Sequence, residues 1–245
     1  MSALVEASAA LEEGTAEEIL RWVYTRFERV AIVASFQAES TVLIDMASQL
    51  VDQPHVVTLD TGRLPGETHD QIDRELAAHP IRLQVQAPDP EELRGLAAEH
   101  GANPFYRSVE LRQLCCDIRK TRPLARALSG FDAWITGLRR EQASSRAATP
   151  VVAEDPAHGG IAKVAPLARW SEEQVWDYIR TRRLEYHELY DRGYRSIGCA
   201  PCTRAVSAGE DARAGRWSWE KEEVKECGLH WSLAAAPRCG GLACR

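Results

Sequence analysis

Four short apolar runs, each followed by a stretch of helical character, constrain this chain more than any other feature. They are Val30–Ser35 (VAIVAS), His55–Asp60 (HVVTLD), Ile81–Gln86 (IRLQVQ) and Phe131–Gly137 (FDAWITG). Their β-branched content marks them as strands. Between them STVLIDMASQL and LPGETHDQIDRELAAH read as helices, the second with Pro65 near its start, and further helices are expected around Pro90–Glu99 and from the double cysteine to about Leu128. Two capping boxes, Thr15–Glu18 and Ser171–Gln174, open helices at either end of the pattern, on either side of the later segments TPVVAED and IAKVAPL. Strands alternating with helices predict an α/β fold with a mainly parallel sheet flanked by helices. Such sheets bind ligands beyond the carboxyl ends of their strands. Those ends carry Ser35, then Asp60 to Arg63, then Gly137 to Arg140.

From about Tyr186 the periodicity gives way to sequence rich in Gly, Arg, Trp and Cys. The expected organisation is a nucleotide-binding α/β domain over 1–185 and an irregular segment over 186–245, which has too few periodic apolar residues to form its own core and folds onto the sheet domain. The chain has 36 acidic and 30 basic residues, a formal charge of −6, so no broad attraction to nucleic acid or membrane is expected and any anion site must be local. The acidic start is unlike a signal peptide, and no apolar run approaches a membrane span; a cytoplasmic location is expected. In a reducing compartment the seven cysteines are then thiols, metal ligands or catalytic groups rather than structural disulfides.

The segment RQLCCDIRK places Cys115 and Cys116 side by side, and GCAPC supplies Cys199 and Cys202 at C-x-x-C spacing. Neighbouring cysteines pair poorly with each other because disulfide geometry is specific. Together the two pairs provide four thiolates, enough for a zinc ion or an iron–sulfur cluster. A contiguous pair is unusual for structural zinc, whereas a cluster spreads its irons so that adjacent residues can reach different ones. Cys227 in KECGLH is flanked by Lys225, Glu226 and His230; cationic neighbours lower a thiol's pKa and make it a nucleophile, although a plain surface thiol has the same spacing. Arginines group in GLRREQ (Arg139, Arg140), RKTR (Arg119, Lys120, Arg122) and DARAGRW (Arg213, Arg216), and guanidinium forks suit phosphate and sulfate oxygens. SFQAEST follows the first strand and opens a helix whose free N–H groups favour an anion, without the Gly-Lys loop of common nucleoside triphosphatases. The remaining histidines lack metal-ligand spacing. Trp217 and Trp219 suit either adenine stacking or packing, and Cys239 and Cys244 have no assigned role.

In combination SFQAEST, LDTGRLPGET, CCDIRKTRPL, GLRREQASSRA, SIGCAPCTRAV, GRWSWE and KECGLH, in that order, resemble the iron–sulfur type of the adenylyl-sulfate (APS)/phosphoadenylyl-sulfate (PAPS) reductase family, from about Val30 to His230. The resemblance implies an adenine-nucleotide α-hydrolase-like (PP-loop, Rossmann-like) fold, a [4Fe–4S] cluster on Cys115, Cys116, Cys199 and Cys202, and Cys227 as nucleophile. It implies substrate contacts from Ser35, Phe36, Thr61, Gly62, Arg63, Lys120, Arg139, Arg140, Arg213 and Arg216, with Lys120 linking cluster and substrate. The reaction implied is reduction of APS, or alternatively PAPS, to sulfite and a nucleotide by thioredoxin or glutaredoxin in sulfate assimilation, in an enzyme that is often a homo-oligomer. Many relatives carry Gly in the serine loop where this chain has Gln37. A tRNA-thiolating enzyme of related fold is a remoter alternative, disfavoured by the absent Gly-Gly-x-Asp-Ser pattern and the acidic balance. A zinc-stapled binding module is the non-enzymatic one.

Overall fold

A computed structural model describes residues 3–220 and residue 226. Cys227, Cys239 and Cys244 lie outside the described residues.

The sequence pattern becomes a six-stranded sheet. The strands are β1 (Val30–Val33), β2 (His55–Leu59), β3 (Arg82–Gln86), β4 (Ala133–Thr136), β5 (Val152–Asp155) and β6 (Ile161–Val164), in the order β3-β2-β1-β4-β6-β5. All neighbours are parallel except the β5–β6 hairpin at one edge. β1 runs VAIV without a polar residue because both its faces are covered, as parallel sheets require. Val30 and Ile32 point to one face, against helices α2 (Ala16–Arg26), α3 (Ala38–Ser48) and α8 (Glu172–Arg182). Ala31 points to the other, with Val57 and Trp134, against α7 (Arg122–Leu128). α2 and α8 both start at capping boxes, Thr15 with Glu18 and Ser171 with Gln174, as their sequences predict. α3 is buried from Ser40 to Ala47, on all sides.

Three features differ from the expectation or go beyond it. The Ala-rich start forms α1 (Ala3–Leu11), which packs on the edge strand β5. The helical stretch from the double cysteine to Leu128 is unbroken but not α-helical throughout. α6 (Val109–Cys116) gives way to a π-helical turn at Asp117–Thr121 before α7 begins. Such wide turns recur at functional sites, because the extra residue redirects side chains. From Tyr186 to Glu220 the described chain has only short 3₁₀ turns and one bridge between Thr203 and Arg216, and it lies against α6 and the strand ends. The remaining helices, α4 (Gly66–Ala78) and α5 (Pro90–His100), follow β2 and β3. Among the described residues no helix is long and apolar enough to cross a membrane.

The chain lays down β1, β2 and β3 outward in one direction, then returns to place β4 on the other side of β1. That reversal splays apart the loops leaving β1 and β4 and opens a crevice at the carboxyl end of the sheet, where ligands bind in folds of this kind.

Candidate active site: two cavities with a common wall

The crevice holds a cavity of about 460 Å³, within the range of small-molecule sites. Its floor is the end of β1 and the following loop, its far side the end of β4, and its roof the segment around Arg213 and Arg216. The loop leaving β1 is tight. Phe36 is fully buried and takes a positive φ of 54°, a conformation an L-residue holds only when its surroundings impose it. That turn lets Ser35 face the cavity while the Phe36 ring goes into the core. The Ser35 N–H donates to Ser40 Oγ, and the Ser35 hydroxyl accepts from Gln37 Nε2. Gln37 Oε1 in turn accepts from the N–H of Ile197 at 2.7 Å, so Gln37 ties the loop to the C-terminal segment.

The second loop, Asp60–Thr61–Gly62–Arg63, is the hub. Gly62 sits at φ 68°, where a side chain would be strained, and its N–H donates to Asp60 Oδ1. Thr61 Oγ1 lies 3.3 Å from Cys199 Sγ, and its carbonyl accepts from Arg119 at 2.6 Å. The Arg63 carbonyl accepts from the N–H of Ala200, inside the C-x-x-C turn. One loop therefore fastens both cysteine-bearing segments to the end of β2.

Cys115, Cys116, Cys199 and Cys202, each 6–7% exposed, line a second, smaller cavity closed by Phe105 and Trp217. None of the four is in a disulfide. In the metal-free protein, burial raises the Cys115 thiol above its ordinary value, and burial with the neighbouring Cys199 pushes Cys202 up to about 11. Burial works the same way on Cys199, but Lys120, the Thr61 hydroxyl, Arg216 and Arg119 together outweigh it and leave that thiol below its usual value. Arg63, Arg112, Arg119 and Lys120 also line this cavity, so four sulfurs face four cations. Among the described residues no group of three or more His, Cys, Asp or Glu is gathered as one metal ion's ligands would be. The four thiols form the wall of a common space instead. That donor set fits a group with several metal atoms, one for each thiolate, better than a single zinc, whose ligands crowd one point.

Lys120, Cys199 and Trp217 line both cavities. Lys120, in the π-helical turn, is 9% exposed. The guanidinium carbons of Arg112 and Arg216 lie over the Trp217 ring, 4.6 Å and 4.7 Å from its centre. Both tryptophans of GRWSWE pack: Trp217 here, and Trp219 against Phe105 and Tyr106.

Of the residues expected to contact substrate, Ser35, Thr61, Lys120, Arg139, Arg213 and Arg216 line the larger cavity. Arg139 reaches it already paired with Glu39 at 2.9 Å and Glu141 at 3.1 Å. Arg63 faces the thiol cavity, stacked on Phe105 and donating to Asn103 and the carbonyl of Ala102. Phe36 and Gly62 shape loops rather than the cavity wall. Arg140 turns away: it binds Glu12 beyond α1 and the carbonyl of Thr149, on the opposite side of the turn from Arg139. Two residues given no role by the sequence belong here. Arg146 and Glu226 line the larger cavity, and the Glu226 carboxylate accepts from Arg146 Nε and Nη2 at 3.0 Å each and from Arg213 Nη2 at 3.1 Å. Arg146 lies inside the GLRREQASSRA segment; its isolation from the paired arginines hid it.

The sheet and its crevice define an adenine-nucleotide-binding fold of the PP-loop type. Solved structures agree. The phosphoadenylyl-sulfate reductase of Candida auris, in a phosphate complex, superposes with a TM-score of 0.71 at 28% identity, covering 84% of this chain and 98% of that one. The FMN adenylyltransferase of Candida glabrata, with FAD and inorganic pyrophosphate, shares the fold at a TM-score of 0.57 and 12% identity over 77% of this chain and 64% of that one. Residues 29–205 match the family model of the phosphoadenosine phosphosulfate reductase domain, and the chain belongs to that family. Among its relatives, the adenosine 5′-phosphosulfate reductase of Allochromatium vinosum is 45% identical over 89% of this chain and 85% of that protein. The enzyme of the same name from Neisseria meningitidis serogroup B is 43% identical over 92% of each.

Proposed function

We propose that the chain is a thiol-dependent adenylyl-sulfate reductase, which cleaves adenosine 5′-phosphosulfate to sulfite and AMP in sulfate assimilation. The observation that carries this reading is the common wall: four buried thiols on one side, a nucleotide-sized cavity at the carboxyl ends of β1 and β4 on the other, and Lys120 on both.

Attachment to AMP gives sulfate a good leaving group. The Cys227 thiolate attacks the sulfur, the bond from sulfur to the bridging oxygen breaks, and AMP departs with the electron pair. The product is an S-sulfocysteine. A second thiol, from thioredoxin or glutaredoxin, then attacks Cys227 Sγ and expels sulfite, and the partner's other thiol resolves the mixed disulfide. Sulfur(VI) becomes sulfur(IV) while two thiols become one disulfide, so electrons balance without a metal redox step. Anion attack on an anion needs fixed positive charge beside the sulfonate, and Lys120, Arg146, Arg213 and Arg216 line the cavity to supply it. Losing one preorganised donor of this kind typically costs about 2.7–4 kcal/mol of transition-state stabilisation.

Cys115, Cys116, Cys199 and Cys202 would hold a [4Fe–4S] cluster. When bound, it supplies a fixed negative charge and a rigid clamp between the two cysteine segments. Residues 1–185 then form the nucleotide-binding domain and 186–245 a dependent segment that carries the C-x-x-C and the nucleophile. The reading implies a cytoplasmic enzyme, consistent with reduced thiols.

Intact-mass measurement of the anaerobically purified protein after incubation with adenosine 5′-phosphosulfate tests the reaction. A single sulfo adduct that is lost in Cys227→Ser and released by thioredoxin is expected; an adduct that persists in the variant would relocate the nucleophile. The resemblance to the Candida auris enzyme keeps the 3′-phosphorylated substrate as a second reading, and comparing sulfite release from the two nucleotides decides between them.

A further inference from the structure

We infer that Glu12, just beyond the N-terminal helix α1, is a positioning residue for the reaction: through Arg140 and Thr149 it fixes the loop that presents Arg146 to the anionic groups of the substrate. The inference rests on the reductase reading above. It gives a role to Arg140, which the sequence placed at the substrate and the structure turns away from it. Glu12 precedes the segment that matches the family model, residues 29–205.

The loop from β4 to β5 aims Arg146 at the cavity with little regular structure. It contains two 3₁₀ turns of three residues each, Arg140–Gln142 and Ser144–Arg146. Its inner side is held by Glu39, which accepts from Arg139 Nε and Gln142 Nε2 at 2.9 Å each. Its outer side is held by Arg140. Arg140 Nη1 and Nη2 donate to the two oxygens of Glu12 at 2.5 Å and 3.0 Å, and Nε donates to the carbonyl of Thr149 at 2.9 Å. A two-pronged pair fixes the plane of a guanidinium as well as its position, so Nε is aimed at that carbonyl. Thr149 is buried, and its N–H and hydroxyl both donate to the Arg146 carbonyl, at 2.9 Å and 2.7 Å. The links from Glu12 therefore end on the backbone of a residue that lines the cavity.

Glu12 can serve as an anchor because it is itself held. Its carbonyl accepts from Arg169 Nη1, and Arg169 Nη2 pairs with Glu13 at 2.8 Å. Within α1, Ser8 Oγ accepts from the N–H of Val152, the first residue of β5, at 3.2 Å. The N-terminal segment therefore grips the far end of the loop at two points, Thr149 through Arg140 and Val152 through Ser8. The hydrogen bond from Arg140, with the charges of Arg140 and Arg169, holds the Glu12 carboxyl below its ordinary value against the effect of burial. The side chains of Arg140 and Glu12 are 30% and 37% exposed, so their pairing adds little to the stability of the whole fold. Its effect is local. Without Glu12 the Arg140 guanidinium can turn away from Thr149, the loop slackens, and Arg146 loses its aim; catalytic contacts tolerate displacements of this kind poorly.

The test compares the parent protein with Glu12→Ala, Arg140→Gln and the two together, all anaerobic and all carrying Cys227→Ser to prevent turnover. Binding of adenosine 5′-phosphosulfate is measured by calorimetry, and binding of adenosine, which lacks the anionic groups, by competition against it. Glu12→Ala is expected to weaken adenosine 5′-phosphosulfate about three- to tenfold, as suits partial loss of a charged hydrogen bond, and adenosine by less than about twofold. The double variant is expected to bind like Arg140→Gln alone, because Glu12 acts through that residue. For the same reason Glu12→Ala is expected to cost nothing further in an Arg146→Gln background. A merely structural role would weaken both ligands alike. Equal weakening of the two ligands, unchanged binding of both, or a selective loss that persists in the Arg140→Gln or Arg146→Gln protein overturns the inference. The parent separates it from the reading beneath: a parent that binds adenosine 5′-phosphosulfate no better than adenosine removes the anion site and the reductase reading together. A parent that prefers the sulfonucleotide, with Glu12→Ala equally selective, removes only the role of Glu12.

Discussion

Arg112 is the residue whose loss separates a docked C-terminal segment from a loose one. It belongs to α6, three residues before Cys115, and is 2% exposed. Its Nε and Nη2 donate to the two oxygens of Glu220, whose side chain is 3% exposed; its Nη1 donates to the Glu226 carbonyl; and its plane lies over Trp217. Arg112→Ala removes the cation but leaves the Glu220 carboxylate buried. Breaking a buried pair from one side costs about 3–5 kcal/mol, because the remaining charge has no partner. With a urea m-value of about 3 kcal/mol/M for a chain of this size, the unfolding midpoint should fall by roughly 1–1.7 M. Replacing both partners, as in Arg112→Met with Glu220→Leu, should recover most of that loss, since apolar residues of similar volume often substitute for a buried pair without cost. The same single variant should slow formation of the Cys227 sulfo adduct. A midpoint within about 0.3 M of the parent, corresponding to ~1 kcal/mol, would refute the argument that this segment is held by a desolvated ion pair.

Further outcomes follow from other parts of the structure. His79 lies between Asp45 at 3.3 Å and Glu75 at 3.0 Å, and hydrogen bonds to those carboxylates raise it to about 9. Its contribution is therefore complete below about pH 6.5 and is lost as pH rises through 9, so the melting temperature should drop between pH 6.5 and 9.5, and His79→Gln should flatten that slope; identical slopes would contradict the pairing. On the acid side Asp45, held at about 2 against the effect of burial by His79, Arg182 and Tyr178, contributes stability above its unfolded value near 3.9 that is lost as pH falls through 2. A Cβ on Gly198 would lie 2.3–2.7 Å from the Arg216 guanidinium, which must swing aside; Gly198→Ala should keep its thermal stability within about 1 kcal/mol and weaken AMP binding about tenfold, and unchanged binding would remove Arg216 from the ligand contacts. Anaerobic purification should give a brown protein with iron and acid-labile sulfide that Cys→Ser at 115, 116, 199 or 202 abolishes, whereas colourless protein with zinc would exclude the cluster.

The sheet was legible because its signal is local. VAIV is entirely apolar, and HVVTL and AWIT interrupt their apolar residues only with His55, Thr58 and Thr136, because both faces of the sheet are covered. The capping boxes were legible for the same reason: donor and acceptor are three residues apart. What the sequence hid depends on long-range pairing. Arg139 and Arg140 are adjacent and chemically identical, yet one reaches the cavity and the other leaves it, because the backbone after β4 is extended there and sends successive side chains to opposite sides. The π-helical turn after Cys116 has no signature in DIRKT. Arg146 and Glu226 meet across 80 residues, and nothing in either neighbourhood announces the partner. The double cysteine and the C-x-x-C each point to a metal-binding or redox group, but their meeting rests on long-range contacts, among them the loop Asp60–Arg63, which bonds to Arg119 on one side and to Cys199 and Ala200 on the other.

The division of labour among the cysteines can be argued from burial alone. A thiol attacks as its thiolate and must reach its target. The four cavity cysteines fail on access, at 6–7% exposure behind Phe105 and Trp217, and Cys202, pushed up to about 11, is only about one part in a thousand ionised at pH 8. A cluster would occupy them further, but the barrier is already present in the metal-free protein. Of the remaining cysteines, Cys227 follows Glu226, the last described residue and one that lines the nucleotide cavity, which supports its proposed role as the attacking thiol. Brief treatment with iodoacetamide at pH 8, on native protein and on protein stripped by a chelator, should therefore modify Cys227 while leaving Cys115, Cys116, Cys199 and Cys202 intact in both, as read by peptide mass spectrometry. Modification of any of those four at the rate of Cys227 in the stripped protein would show that the thiol cavity is open to solvent, and the separation between a ligand set and a nucleophile would no longer follow from the fold.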